Sequence, residues 1–417
     1  MPLVFRFVIG IVLVLLIDIY FYQAVALLIA KLSPFKKIAI RNIYWGFTLY
    51  TVGLFVVAMI IPFQEWWSFA RIYLFAFGIM LLICKLIGST FILIDDITRL
   101  LRWLFNLVFT PSSSDGDKVG NLSRLKFLNQ AAVMMAAFPF VAFLYGMVKS
   151  GFDYKVRKVK LVLPKLPAAF NGLKIVQLSD IHAGSFVSSA PLEKALKMIQ
   201  EQNADVVFFT GDLVNNITSE AIPYKEIFKQ IKAPLGVYST LGNHDYGDYV
   251  EWPSTEAKQK NLQDLKQLHA EFGWKLLMNE HIALKKDDAE IAVLGVENWG
   301  AAMRFPKYGK IEKAHAGTEK FPVKLLLSHD PSHWDAQIRK QYPDIDVTFS
   351  GHTHGMQFGI EIPGFRWSPS KYIYKQWADL YQEGNQFLYV NRGLGFLGYP
   401  GRVGILPEIT VVELCNA

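Results

Sequence analysis

Four long apolar stretches dominate the first third of the chain, from Val4 to Ala30, Ile38 to Pro62, Ile72 to Ile94 and Phe127 to Val148. Each reaches the roughly 20 residues that a helix needs to cross a bilayer. The first is far longer than the roughly 7–15-residue apolar core of a secretory signal and lacks a small-residue cleavage site, so an uncleaved span is expected. Residues 97–109 are apolar with spaced arginines, Arg99 and Arg102, and are too short to span. They predict a separate amphipathic helix lying in the membrane interface. The run from Pro111 to Lys118 then reads as a polar, flexible loop.

Beyond residue 150 the pattern changes. Lys158 to Leu163 starts by alternating charged and apolar positions, as a half-buried strand does. Lys174 to Ser179 and Asp205 to Thr210 are compact apolar runs ending in polar residues, and helical spacing from Ala190 to Glu201 lies between them. Strand, helix, strand at that interval predicts a layered α/β domain. The chain therefore divides into a membrane region at 1–150, with about four transmembrane helices, and an α/β domain at 151–417.

Composition agrees with this division. Of 417 residues 52% are hydrophobic and 19% charged, which excludes a disordered chain. The net charge of +7 sits wholly in residues 1–150, while residues 151–417 are neutral and hold all nine histidines. The positive excess falls between apolar runs, so it points to membrane lipids and not to nucleic acid. Lys31, Lys36, Lys37 and Arg41 follow the first span, and Arg99, Arg102, Lys118, Arg124 and Lys126 follow the third. Positive loops stay cytoplasmic, so both ends of an integral membrane protein of this pattern are expected outside the cytoplasm, the α/β domain with them. Two cysteines, Cys84 and Cys415, exclude a disulfide framework. Two charges lie inside spans of the same direction and at similar depth, Asp18 and Lys85. An unpaired charge there costs about 2.5–3.5 kcal/mol or more, so the two are expected to pair across a helix interface.

Five short segments after strand ends carry candidate chemistry: Asp180-Ile-His182, Gly211-Asp212, Gly242-Asn-His-Asp245, Ser328-His-Asp330 and Gly351-His-Thr-His354. Their glycines are expected to let the backbone swing sharply and aim side chains at one centre. Carboxylates, neutral imidazoles and one amide oxygen suit manganese, iron or zinc better than calcium or Cu(I). Asp180 and Asp212 bring two negative charges, so two divalent cations leave a centre still attractive to phosphate.

The ordered set resembles the calcineurin-like metallophosphoesterases. The flanks, Leu163 to Asp180 and Asn391-Arg-Gly-Leu-Gly395, look like their membrane-associated bacterial branch. The resemblance covers roughly residues 156–414 and implies a β-sandwich flanked by helices. It implies that Asp180, His182, Asp212 and His354 ligate one metal, and that Asp212, Asn243, His329 and His352 ligate the other. A bridging hydroxide would attack phosphorus between metals about 3.5–4 Å apart. His244 would bind a phosphate oxygen or protonate the leaving group, with Asp245 orienting it. Arg392 is a candidate phosphate contact and Asp330 a candidate orienting carboxylate, while His333, His269, His281 and His315 read as surface residues. Segments 246–267 and 298–322 are expected to rim the site. Loop aromatics including Phe305, Phe365, Trp367, Tyr372 and Tyr374 suggest a lipid-linked phosphate or pyrophosphate ester as substrate. The competing reading is a transporter or signalling membrane protein whose soluble domain binds a phosphorylated ligand without turnover.

Overall fold

A computed structural model describes residues 3–62, 65–109, 118–302 and 305–417. The described chain separates into two compact units, Met1–Tyr145 and Gly146–Ala417.

The first unit is built on the helices α1 (Leu3–Ile29), α2 (Pro34–Ile60), α3 (Phe75–Phe109) and α4, which runs from Lys118 to Val148. Four helical stretches are long and apolar enough to cross a membrane, Phe7–Ile29, Pro34–Ile60, Ala70–Leu107 and Phe127–Phe152. The separate interfacial helix expected at 97–109 is instead the last three turns of α3. No Gly or Pro interrupts Ile94 to Phe109, and Arg99 ties back to Asp95 (3.2 Å) and to Asp96, one turn earlier, across the expected break. The expected loop at Pro111 to Lys118 lies outside the described residues except for Lys118, which opens α4.

Asp18 and Lys85 meet. Lys85 Nζ lies 2.8 Å from Asp18 Oδ2, and both side chains are almost fully buried between α1 and α3. Thr48 of α2 donates to the same carboxylate, and the Tyr44 ring lies 4.7 Å from Lys85 Nζ. Three helices thus share one polar knot.

In the second unit, the first sheet contains β1 (Lys155–Val162), β2 (Leu173–Leu178), β3 (Val206–Phe209), β4 (Val237–Ser239) and β5 (Lys275–Leu276). The second begins with β6 (Glu280–Lys286), β7 (Ala289–Gly295), β8 (Lys324–Leu327) and β9 (Val347–Ser350). A hairpin, β10 (Ile360–Ile362) and β11 (Phe365–Trp367), stands apart, followed by β12 (Asp379–Glu383), β13 (Gln386–Val390) and β14 (Glu408–Cys415). The orders are β1-β14-β2-β3-β4-β5 and β12-β13-β9-β8-β7-β6.

The inner strands are buried on both faces, which is why they read as unbroken apolar runs. Ile175 and Phe208 point between the sheets to meet Leu325 and Phe349, with the Phe208 and Phe349 rings 5.2 Å apart. Val176 and Phe209 point the other way, under α5 (Ala190–Gln200) and the helix Thr255–Phe272. Leu294 and Leu326 face outward from the second sheet onto Trp334 and Ile338. The result is a helix–sheet–sheet–helix stack with three apolar layers, as the sequence predicts. Two histidines expected at the surface are wholly buried. His269 packs against Phe209, Phe272 and Trp274, and His333 stacks on Trp299 at 4.5 Å while bonding Ser328 and Gln337. Both lie on helical faces that the segment pattern did not assign to the core.

Candidate metal centre

Strands β2, β3 and β4 run parallel, as do β7, β8 and β9, so their carboxyl ends open on one side. Every candidate ligand follows such an end within a few residues. Asp180 and His182 follow β2, Asp212 follows β3, Asn243 follows β4, His329 follows β8, and His352 and His354 follow β9. Crevices at these ends are where open α/β sheets place ligands.

Two groups of donor atoms form there among the described residues, Asp180 with His182 and His354, and Asp212 with His329 and His352, each within 4.8 Å. Asp212 Oδ2 stands between them, 3.2 Å from His329 Nε2 and 3.6 Å from His182 Nε2. His182 and His354 Nε2 are 3.0 Å apart, and Asp180 Oδ1 is 3.2 Å from His354 Nε2. Asn243 Nδ2 donates to the Tyr249 hydroxyl at 2.8 Å, while its buried Oδ1 has no hydrogen-bond partner. A buried acceptor left open beside this many imidazoles and carboxylates fits a cation and has no other evident use.

The backbone shows how the cluster is forced together. Asp180, His182, Asp212, His352 and His354 all have φ between 48° and 71°, the left-handed region that costs a non-glycine residue of order 1–3 kcal/mol. Of the motif glycines, only Gly211 takes a left-handed φ, 96°. Gly242, at φ −100°, and Gly351 serve by lacking a Cβ. A methyl at Gly351 would strike Ser179 and the Asp180 carboxylate, and one at Gly242 would strike the Asp212 carboxylate. The expected swing therefore falls on the candidate ligands themselves, and two of the three glycines supply room.

Burial lowers the pKa of His182, His352 and His354, keeping those rings neutral and their lone pairs available to a metal. His329 is the exception. Burial opposes its charge, but the Asp212 carboxylate beside it raises its pKa to about 10. Burial likewise opposes the charges of Asp180 and Asp212, yet His354 and His329, respectively, hold them below the carboxylate range.

His244 is half-buried in the same pocket. Its Nδ1 lies 2.6 Å from the Asn215 carbonyl, which can only accept, so Nδ1 carries the hydrogen and Nε2 is left for a ligand. Asp245 does not orient it. The Asp245 carboxylate accepts from the backbone N–H groups of Asp212 (2.9 Å), Leu213 (2.9 Å), Val214 (3.3 Å) and Gly242 (2.8 Å), bracing the loops that carry the candidate ligands Asp212 and Asn243. Asp330 splits its role. One oxygen accepts from Ser332 and the other lies 3.6 Å from His352 Nε2.

Arg392 does not reach the pocket. Its side chain is fully buried and bonded to Glu408, to Glu361 at 2.6 Å and to Asp379 at 3.2 Å, so three carboxylates consume the charge offered to phosphate in the sequence reading. Arg402, which that reading passed over, is buried too, with contacts to the His354 carbonyl (3.3 Å) and Nδ1 (3.2 Å). Tyr374 and Phe305 close the opposite wall. The Tyr374 hydroxyl is 2.7 Å from His352 Nε2, and Phe305 stands edge-on to His352 at 4.7 Å. Tyr249 lies over His244 with ring centres 4.5 Å apart. Among the expected rim segments, 246–267 supplies Tyr249 and 298–322 supplies Phe305. The cleft holds about 200 Å³, with Met356, Ile373 and Leu397 as an apolar edge.

Two family models match the chain: the probable calcineurin-like phosphoesterase transmembrane domain at residues 4–151, and calcineurin-like phosphoesterase at residues 173–356. A zebrafish (Danio rerio) transmembrane protein with metallophosphoesterase domain is 34% identical over 66% of this chain. The chain spans 60% of that relative's length. The Bacillus subtilis metallophosphoesterase YkuE is 29% identical over 60% of this chain and 81% of its own. The UDP-2,3-diacylglucosamine pyrophosphatase LpxG of Chlamydia muridarum is 28% identical over 58% of this chain and 83% of its own. With an N-terminal set of membrane helices, a two-sheet α/β domain and donor clusters at its strand ends, the chain belongs to the calcineurin-like phosphoesterases that carry a four-helix membrane domain.

Proposed function

We propose that the protein is a membrane-anchored, metal-dependent phosphoesterase whose site holds two divalent cations. The observation that carries this reading is the meeting of two donor clusters at Asp212, with the open Asn243 Oδ1 buried beside them. Asp180, His182, Asp212 and His354 would hold one ion, and Asp212, Asn243, His329 and His352 the other. The pair of ions, manganese, iron or zinc, supplies Lewis acidity and charge neutralisation for hydrolysis of a phosphate ester.

The chain's own groups complete the site. His244, fixed through Nδ1, presents Nε2 to a phosphoryl or leaving oxygen, where a protonated ring donates its hydrogen. Such a positioned acid is worth about 100-fold or more in rate. Asp245 holds the Asp212 and Asn243 loops, and Tyr374 holds His352.

A cleft of about 200 Å³ admits a phosphoryl group and little else, so the remainder of a substrate lies over the edge formed by Met356, Ile373 and Leu397. That edge is apolar, which favours a lipid-linked phosphate or pyrophosphate ester over a free nucleotide. The name of the Chlamydia relative, a UDP-2,3-diacylglucosamine pyrophosphatase, is in keeping with this choice. The loop charges favour an extracytoplasmic catalytic domain.

The test is a phosphoester screen on the intact protein with manganese supplied, covering lipid, nucleotide and aryl phosphodiester substrates. Metal-dependent hydrolysis that His244→Ala removes is expected. Protein that binds manganese yet turns over none of these esters would instead favour a ligand-binding domain.

A further inference from the structure

The hairpin β10–β11 is built inside out. Its register pairs Ile360 with Trp367 and Ile362 with Phe365, so one face of the two-stranded sheet is wholly apolar, and the alternate pair Glu361–Arg366 occupies the other. Ordinary amphipathic hairpins turn the apolar face to the core. Here the charged face is turned in. Glu361 accepts from Arg157 at 2.7 Å and from the fully buried Arg392 at 2.6 Å, and Arg366 donates to Asp379 at 2.9 Å. The apolar face is left outside, with Ile362 58% and Phe365 53% exposed. Tyr372, 72% exposed, and the exposed Ile373 extend this surface.

Contiguous apolar surface of this kind marks an interaction site. Three observations select its occupant. The chain carries four helices able to cross a membrane, so this domain is covalently joined to segments that can lie in a bilayer. The patch mixes isoleucines with Phe, Trp and Tyr and is flanked by the exposed Lys371 and Lys375, the composition that suits the boundary between acyl chains and anionic head groups. Ile373 also lines the metal-site cleft, so the patch runs directly into its mouth.

We infer that the β10–β11 hairpin and the adjoining turn dip into the bilayer surface, holding the cleft mouth against lipid head groups. The ion pairs of Arg392 and Arg366 with Glu361, Glu408 and Asp379 keep the hairpin in its inverted setting.

The test places the full-length protein, with Cys84→Ala and Cys415→Ser, in nanodiscs of phosphatidylcholine and phosphatidylglycerol carrying nitroxide-labelled lipid. An environment-sensitive fluorophore is attached at Ile362→Cys, at Phe365→Cys or, as a control, at Asp288→Cys in the exposed β6–β7 turn. Labels at 362 and 365 are expected to lose at least half their emission to the lipid nitroxide and to resist aqueous iodide, while the label at 288 behaves oppositely. Labels quenched by iodide alone would overturn the inference. So would protection from iodide without lipid quenching, the outcome expected if a second copy of the chain covered the patch. The readout needs no turnover, so its failure is distinguishable from failure of the phosphoesterase reading. The triple variant Ile360→Ser, Ile362→Ser, Phe365→Ser in lysolipid-free detergent is expected to match the parent's thermal melting, which checks that the hairpin residues are not core.

Discussion

Asp245→Asn separates two readings of a residue beside the candidate metal ligands. The Asp245 carboxylate is fully buried and accepts four backbone N–H bonds, two per oxygen, from residues 212–214 and Gly242. An amide of the same shape keeps one acceptor oxygen and turns an NH₂ group toward two donors. Each buried donor left unpaired costs about 1–3 kcal/mol, so the substitution is expected to cost about 4 kcal/mol. In a domain of this size about 1 kcal/mol moves the melting temperature by about 2–4 °C, giving a fall of about 10 °C. The assay is thermal melting of the full chain in micelles with EDTA present, joined to hydrogen exchange at the amides of residues 212–214. Those amides are expected to lose protection, and manganese content is expected to fall because Asp212 is no longer held. His244→Ala is expected to do the reverse, keeping metal and melting temperature while losing about 100-fold in rate. Should Asp245→Asn melt like the wild type yet abolish turnover, the carboxylate acts on the chemistry and the bracing argument is wrong.

Three further outcomes follow from the same geometry. Burial pushes His269 down to about 3 from an ordinary 6.5, so the neutral ring is favoured in the folded state. Its contribution is complete above pH 6.5 and is lost as pH falls, by about 3 kcal/mol at pH 4. Acid unfolding of His269→Gln should therefore be shallower between pH 6.5 and 4 than that of the parent, and identical slopes would remove this account. Asp18→Asn and Lys85→Met should each cost about 3 kcal/mol in nanodisc melting, because each leaves a buried partner unpaired. The double variant should cost less than their sum, and strict additivity would mean that the 2.8 Å contact contributes no coupling. A reporter fused to the C-terminus should be active only outside the cytoplasm, and an intracellular signal would reverse the orientation drawn from the loop charges.

Much of this architecture can be read along the chain because it rests on local periodicity. The spans follow from uninterrupted apolar length, and the sandwich strands follow from runs such as Val206–Phe209 buried on both faces. The candidate ligand set follows from residue types repeated in order at strand ends, which the fold gathers into two donor clusters. What escaped depends on partners far away in sequence. Arg392 in its loop looks like a phosphate ligand until Glu361 and Glu408 are seen around it. Asp245 looks like the orienting acid of its neighbour until its oxygens are found among the amides of residues 212–214, about 30 positions earlier. His269 carries no surface signal and no core signal, since only its helix face decides. The break expected after Ile94 fails for the opposite reason. The composition changes there, but no residue stops the helix.

The backbone adds a constraint that residue types do not express. Five candidate ligands sit at left-handed φ, and at about 1–3 kcal/mol each their combined strain is comparable to the whole stability of an ordinary domain, about 5–15 kcal/mol. Such a cluster persists only where its surroundings over-determine it. Here those surroundings are the Asp245 brace behind Asp212, the Arg402 contacts on His354, and the loop floors at Gly242 and Gly351 that admit no Cβ. The same logic reaches the hairpin. Arg392, buried among three carboxylates, spends its charge fixing Glu361 inward, and that fixes the isoleucines and Phe365 outward. A domain that turns the charged face of a hairpin onto half-buried ion pairs and leaves the apolar face exposed gains nothing from that face in water. The arrangement fits a face that has an apolar surface to meet, and helices able to cross a membrane bring one to the same chain.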